Sequence, residues 1–390
     1  MNVKNARAHT EPDHHAEGPG YQPRELVLLG AGHAHVNVLA ALAEHPLIGV
    51  RIILVAPHPR QMYSGMVPGF VAGHYPLEDC VIPMEPLVRR SGVRWLQRSV
   101  KALDAQNQTV QLDDGSTLHY DWLSVNTGSI QNRELMDAAI PGARTHGLFV
   151  RPIEAFSALW PRVVEMGTER ALRIAVIGAG AAGCELAMAV RHRLPQAAVT
   201  LITGDTPPGV NYPPKVQQRL LAALKQRHIT VLQDAAIGLT ADEVRLGCGA
   251  GLACDVALLA TGGQPPLWLA DSGLALDAHG FLAVDEYQRS SSHDHVFAAG
   301  DVCARTDQAL ARSGVYAVRA GPALARNLTV ATTGGELKPH IPPGSTLNLL
   351  SCGERYAIAS WGNFSAQGRW VWWLKNWIDR RFLAQYKTNT

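Results

Sequence analysis

The chain is short of net charge: 35 Lys and Arg against 33 Asp and Glu leave a formal charge of +2 over 390 residues. Such a balance offers no global attraction for nucleic acid, and no nucleic-acid partner is expected. Cysteine is scarce too, with six, at positions 80, 184, 248, 254, 303 and 352. They are too scattered for a disulfide scaffold, and neither C-x-x-C nor a Cys/His set with zinc spacing occurs, so no metal is expected. No apolar run approaches the ~20 residues of a membrane-spanning helix. The apolar stretch of a signal peptide is also missing. Residues 1–24 are polar and rich in His, Pro and Gly, which predicts a disordered leader, His14-His15 included, on a cytoplasmic protein. Apolar residues are plentiful, at 47% against 17% charged. That suffices for a large core and, at this length, for two or three domains.

The strongest positive signal is an internal repeat. Leu26-Val27-Leu28-Leu29 runs into Gly30-Ala31-Gly32, and Ile174-Ala175-Val176-Ile177 runs into Gly178-Ala179-Gly180. Each is followed by a helix-compatible stretch (33–44 and 181–193) and a second apolar run, Arg51 to Ala56 and Val199 to Thr203. From first glycine to the end of that run is 26 residues in one copy and 25 in the other. This is the βαβ unit of a dinucleotide-binding fold, present twice in an α/β protein. The first glycine permits the tight turn, and the second lets a pyrophosphate approach the backbone. The helix N-terminus then offers free N–H groups to the phosphates.

The copies differ. Gly183 completes G-x-G-x-x-G in the second, whereas His35 stands at that place in the first, so its helix must pack differently on its strand. His33 and His35, two apart, point to different faces, and His33 is expected beside the pyrophosphate. Neither second strand ends in the acidic residue that holds an adenosine ribose. The choice between NADH and NADPH therefore stays open, with Asp205 leaning toward NADH.

Further strands are expected at Val100 to Asp104, Thr109 to Leu112 and Leu118 to Asp121. Leu123 to Asn126 runs into Thr127-Gly128, Val256 to Ala260 into Thr261-Gly262-Gly263, and His295 to Ala299 into Gly300-Asp301. Strands ending in Thr-Gly let the chain pass close to a bound cofactor. A helix from about Ala311 to Val330 contains Pro322, where a kink is expected.

The order GAG…TG…GAGAAG…ATGG…AAGD resembles the flavoprotein superfamily with two dinucleotide-binding domains, which includes glutathione reductase, type II NADH dehydrogenases and sulfide:quinone oxidoreductases. The resemblance covers the chain from residue 25 on. It implies FAD at the first glycine turn and NADH or NADPH at the second. Asp301 would then serve the ribityl hydroxyls and Val100 would offer its backbone to the adenine. The implied division is an FAD domain of 25–145 and 266–340, an inserted NAD(P)H domain of 146–265, and a C-terminal segment of 341–390. The phrases LVLLGAGHAHVNVL (26–39), YSGMVPGFVAGHY (63–75) and GVYAVRAGPALARNL (314–328) are similar to the flavoprotein module found fused to selenide, water dikinase. Here it is expected to be free-standing.

That resemblance also frames what is absent. Only Cys80 lies in residues 51–90, so the disulfide relay of glutathione-reductase-type members is missing. Tyr356 to Ser360, matching the late strand that carries a cysteine in sulfide:quinone oxidoreductases, has none. Hydride passing from nicotinamide to flavin would then go directly to a diffusible acceptor, with a quinone favoured. Glu185 matches the acidic residue near the nicotinamide in the related dehydrogenases; a plain helix-surface carboxylate is the other reading. The Tyr63-to-Tyr75 loop, with Met66 and Pro68, is expected to line the isoalloxazine, or else to be a turn-rich core loop. The helix after Ala311 would aim the positive end of its dipole at the flavin. Cys303, two residues beyond Asp301, is placed near the flavin, while Cys248 and Cys254 read as a hairpin with inert thiols or a redox pair.

Residues 369–387, RWVWWLKNWIDRRFLAQYK, hold four of the nine tryptophans and a local charge of 5 − 1 = +4. On a helix Trp370, Trp373, Leu374, Trp377, Ile378 and Phe382 are expected along one stripe. A basic helix with an aromatic face suits a bilayer interface and a peripheral membrane protein. Packing on the protein's own body or on a homodimer partner is the alternative. The functional expectation is an FAD-dependent NAD(P)H oxidoreductase with a quinone as acceptor. Its rivals are a sulfur- or selenium-handling flavoenzyme using Cys303, tied to selenium metabolism, and a non-enzymatic nucleotide sensor.

Overall fold

A computed structural model describes residues 23–387. Residues 1–22, with His14-His15 and most of the expected leader, lie outside the described residues. The leader's last residue does not: Arg24 already opens the first strand.

Two five-stranded sheets, both parallel, dominate the described chain. The first has the order Val296–Ala298, Trp122–Val125, Arg24–Leu29, Val50–Val55, Arg94–Leu96. The second runs Gly147–Phe149, Val256–Leu259, Arg173–Ile177, Ala198–Ile202, Thr230–Leu232. Alternation along the central strands sends neighbouring side chains to opposite cores. Leu26 and Leu28 join the largest apolar cluster on the helical side, whereas Val27 and Leu29 face a separate cluster on the other. Ile174 and Val176 against Ala175 and Ile177 divide in the same way. Both faces of each strand are covered, which is why these segments read as unbroken apolar runs.

The repetition extends past the βαβ units. Each sheet carries helices on one face and a three-stranded antiparallel meander on the other. The meanders are Val100–Asp104, Thr109–Leu112 and Thr117–His119 in the first half, and Ala236–Leu239, Glu243–Leu246 and Gly251–Ala253 in the second. The last strand of the first meander falls at Thr117–His119 instead of ending at Asp121, because Asp121 turns back to accept the Glu25 backbone N–H at 2.6 Å.

The helices begin at the glycine turns as expected, His33–Glu44 and Ala181–Arg193. The late helix is Gly314–Thr333, three residues beyond its expected position at both ends. It runs unbroken through Pro322 and packs against His33–Glu44. A three-stranded antiparallel sheet (Asn348–Ser351, Ala357–Trp361, Phe364–Gly368) leads into the C-terminal helix Arg369–Ala384. Among the described residues no helix is long and apolar enough to cross a membrane.

The expected stripe on that helix divides. Trp370, Trp373 and Trp377 are more than half exposed, but Phe382 is buried against Tyr63. At about 100° per residue, Phe382 lies about 140° around the helix from Trp377. The buried face is instead Val371, Trp372, Lys375, Asp379, Phe382 and Leu383.

Candidate functional site

The two glycine turns sit at the carboxyl ends of the middle strands, where open α/β sheets bind ligands. They correspond bond for bond. The Gly30 N–H donates to the Val55 carbonyl and the Gly178 N–H to that of Ile202, both at 2.8 Å. Asn126 donates its N–H to Leu29 at 2.8 Å, and Ala260 donates to Ile177 at 2.9 Å. A Cβ on Gly30 would run into the Asn126 carbonyl, and one on Gly178 into that of Ala260. Both turns therefore require glycine for the same steric reason.

Around the first turn opens a cleft of 390 Å³. It gathers Gly30, Ala31, Gly32 and His33 with Thr127 and Gly128 from the neighbouring strand end. Val100 lines it from the meander, and Gly300 and Asp301 from the last strand of the sheet. Residues as far apart in sequence as Gly30 and Asp301 thus share one cleft. Pro68 is not among its lining residues: it is buried in the short helix Val67–Val71, and from the Tyr63-to-Tyr75 loop it is Ser64 that reaches the cleft. Arg151, which the sequence did not single out, also lines it, with its Nη2 3.3 Å from Asp301 Oδ2.

Two features fit a dinucleotide here. His33 Nε2 and Thr127 Oγ1 are shielded from solvent yet have no hydrogen-bond partner, and both belong to lining residues. Buried polar atoms without partners are costly, so they mark where a ligand's polar groups belong. A Cβ on Gly128 would also meet only open space, so the backbone there is free to be approached.

At the second turn, Gly180 and Gly262 likewise face open space. Thr203 follows the strand Ala198–Ile202, so Gly178, Gly180, Thr203 and Gly262 collect at the ends of three adjacent strands. Gly183 has another task, since a Cβ there would collide with the Gly178 carbonyl. It brings the helix hard against the turn.

Glu185, in the first turns of that helix, is half-buried and accepts the Ser351 N–H at 2.7 Å. Burial raises its carboxyl to about 7, against the opposing pull of the Lys375 ammonium. Lys375 comes from the C-terminal helix. Its Nζ lies 2.6 Å from Asp379 Oδ2 and donates to the Gly65 carbonyl at 2.6 Å. A buried ammonium needs such partners, because leaving it unpaired is strongly destabilising. Burial, with Asp379 adding to it, pushes the Tyr63 phenol well above its ordinary range. Tyr63 in turn lies against His33, with ring centroids 5.4 Å apart, and against Phe382 at 4.7 Å. A chain of contacts thus leads from the first glycine helix through residues 63–65 to the C-terminal helix. Periodicity shows a helix's faces but not which one carries a buried ion pair.

The six cysteines are all free. Burial raises the thiols of Cys80, Cys184, Cys303 and Cys352 to about 12, so they are held protonated. Cys303 lines a second cavity of 330 Å³ that shares Gly300 and Asp301 with the first cleft. In the second meander Cys248 is exposed and Cys254 buried.

Comparison with known proteins agrees with this geometry. The family model described as "Pyridine nucleotide-disulphide oxidoreductase" matches residues 24–327. The "Ferroptosis suppressor protein 1" of Taeniopygia guttata is 28% identical over 284 residues, covering 68% of this chain and 71% of that protein. The "Alternative NAD(P)H-ubiquinone oxidoreductase C1, chloroplastic/mitochondrial" of Arabidopsis thaliana is 25% identical over 320 residues, covering 72% of this chain and 61% of its own. In structure the chain is similar to NDH2 from Plasmodium falciparum in complex with NADH, with a TM-score of 0.78 at 12% identity over 94% of this chain and 97% of that one. The chain belongs to the pyridine nucleotide-disulphide oxidoreductase family, and FAD and NAD(P)H are the cofactors that go with it.

Proposed function

We propose that the protein is an FAD-dependent NAD(P)H dehydrogenase that delivers electrons directly to a quinone, without a cysteine relay. FAD is assigned to the 390 Å³ cleft at the first glycine turn and NAD(P)H to the second turn. When bound, FAD would supply the redox chemistry that links reduced nicotinamide to the acceptor.

The residues divide the remaining work. Gly30, Gly32 and Gly128 keep backbone close to the nucleotide, His33 Nε2 and Thr127 Oγ1 offer unpaired polar atoms, and Asp301 orients the ribityl hydroxyls. Glu185, held near 7 by burial, carries a proton at its carboxyl oxygen close to the working pH, as a proton-transfer group requires. The Lys375 ammonium limits how far that carboxyl rises.

The observation that carries the quinone reading is the C-terminal helix. One face inserts Lys375 and Asp379 beside Tyr63 and Gly65, and the other exposes Trp370, Trp373 and Trp377. Arg355 lies over the Trp373 indole and Arg381 over that of Trp377, and the hairpin before the helix adds Trp361 and Phe364. A basic aromatic face of this kind suits the interface of an anionic bilayer, where a lipid-soluble quinone resides. The Arabidopsis relative, named for ubiquinone, supports the same acceptor class.

Anaerobic mixing with NADH or NADPH should bleach the flavin within the enzyme's turnover time, and a short-chain quinone should restore it. If neither nucleotide bleaches it, the reading fails at its first step. Replacing Trp370, Trp373 and Trp377 by Ser should abolish sedimentation with anionic vesicles while leaving short-chain quinone reduction intact. A second reading, a sulfur- or selenium-handling flavoenzyme akin to the module fused to selenide, water dikinase, draws on Cys303 at the adjoining cavity. It requires that Cys303→Ser abolish flavin reduction by such a compound while FAD stays bound.

A further inference from the structure

The internal repeat provides its own control at the third position of the glycine motif. In the second copy that position is Gly183, and it packs so tightly that a Cβ would collide with the Gly178 carbonyl. In the first copy it is His35, fully buried. Its Nδ1 lies 2.5 Å from the Gly30 carbonyl, the counterpart of the atom that excludes a side chain in the other copy. Its Nε2 lies 2.8 Å from the Ser124 hydroxyl. A carbonyl only accepts, so Nδ1 carries the proton and Nε2 accepts from Ser124.

A second difference accompanies the first. The residue before Thr-Gly is Ala260 in the second copy and Asn126 in the first. Asn126 Oδ1 accepts the N–H groups of Ala34 and His35 at 3.1 and 3.0 Å, capping the first glycine helix from across the sheet. Its Nδ2 donates to the Ala299 carbonyl at 2.5 Å, immediately before Gly300-Asp301. Its backbone carbonyl accepts the Gly32 N–H at 3.2 Å. One buried side chain thus ties together the glycine turn, the Thr127-Gly128 strand end and the Gly300-Asp301 loop. All three line the same cleft.

We propose that Asn126 and His35 form a single positioning unit for FAD, a polar latch that replaces the Gly/Ala packing of the second copy and sets the three FAD-facing segments relative to one another. The inference rests on the assignment of FAD to the first glycine turn. One consequence concerns the helix itself. Its Ala34 and His35 amides are already used by Asn126, so the phosphates are left to the preceding turn and to His33, whose Nε2 is unpartnered.

FAD affinity of the full-length protein should be measured for His35→Gly, Asn126→Ala and the double variant, which gives the first copy the residues of the second. Each single change strands buried polar groups and should weaken FAD about tenfold. Because the two act as a unit, the double variant should lose far less than the ~100-fold product. Either single variant within about twofold of wild type, or a double loss equal to the product of the singles, overturns the proposal. Ser124→Ala removes only the hydroxyl partner of His35 and serves if the larger changes do not fold. About threefold weaker FAD binding is expected, and unchanged affinity overturns the latch. Leu39→Val, on the buried face of the same helix, controls for general loosening. If it weakens FAD as much as Ser124→Ala at the same drop in melting temperature, the latch is likewise overturned. Asp301→Ala separates the two levels: retained FAD there refutes the site assignment, whereas lost FAD with intact binding in the latch variants refutes only the latch.

Discussion

The two glycine turns share backbone hydrogen bonds, strand order and an antiparallel meander behind the sheet, yet they close in different ways. The second closes by proximity, with Gly183 lying directly on the Gly178 carbonyl. The first closes by hydrogen bonds, with His35 and Asn126 filling a wider gap. The eighth position of the repeat, counted from its first glycine, differs as well: Glu185 in one copy, Asn37 in the other. Both are engaged by the C-terminal segment, Glu185 through the Ser351 amide and Asn37 through the Tyr386 hydroxyl at 3.0 Å. A shared backbone plan therefore leaves the side chains free to specialise. One copy closes through a buried polar network, and the other closes by bare packing with an ionisable carboxyl beside it.

The largest test of this contrast is Gly183→Val. The side chain has nowhere to go, so NAD(P)H-driven flavin reduction should fall by at least about 100-fold while FAD remains bound. Bound flavin that is still reduced at the normal rate would show that the second turn is not closed by proximity. Glu185→Gln comes next, with an expected loss of the order of 10²-fold in turnover. Burial raises the folded-state pKa, so the protonated form is present below about pH 7 and is lost as pH rises through that value. A limb of activity falling through neutral pH should therefore be visible in the wild type and absent in Glu185→Gln. Since Lys375 pulls the carboxyl down, Lys375→Met should move that limb upward in pH. A limb that does not move would separate Lys375 from Glu185.

A stability test follows from His35. Burial lowers its pKa to about 4, so the folded protein refuses a proton that the unfolded chain takes up below about pH 6.5. The unfolded state then binds more protons, and stability drops as pH falls from about 6.5 to 4, by up to about 1.4 kcal/mol per pH unit for this group. Thermal melts of His35→Gly should show a shallower acid slope; an unchanged slope would place the imidazole outside the core. The smallest effect is expected at Asp205, just past the second strand. Asp205→Ala should reduce any preference for NADH over NADPH by a few-fold, measured as the ratio of kcat/KM values, and an unchanged ratio would leave the ribose contacts to the backbone.

Much of this plan was legible in the sequence. Short apolar runs into Gly-x-Gly show themselves because both faces of a parallel strand are buried, and because the turn tolerates no Cβ. That is why Gly30, Gly32 and Gly178 could be named from the chain alone, and Gly180, where a Cβ would meet only open space, by its place in the motif. The cleft's distant contributors, Thr127, Gly128, Val100 and Asp301, were reachable only through the order of motifs. Arg151, Asn126 and Lys375 gave no signal: each matters through at least one partner on another element and far away in sequence, and spacing does not encode such partners. Pro68 shows the converse, a residue in a marked segment that is itself buried away from the cleft while Ser64 reaches it.

The C-terminal helix marks the boundary between the two kinds of knowledge. The sequence alone determined that residues 369–387 are basic and rich in tryptophan, since charge and aromatic spacing are properties of the chain itself. Which face is buried depended on the residues that happen to meet it. Lys375 is turned inward because Asp379 and the Gly65 carbonyl can satisfy its charge there, and the three tryptophans are left outside because nothing among the described residues covers them. In the same way, the sequence determined that His35 departs from the glycine pattern. Only the tertiary structure decided that the departure is supported, because Gly30, Ser124 and, through the capped helix, Asn126 are brought within hydrogen-bonding distance by the sheet.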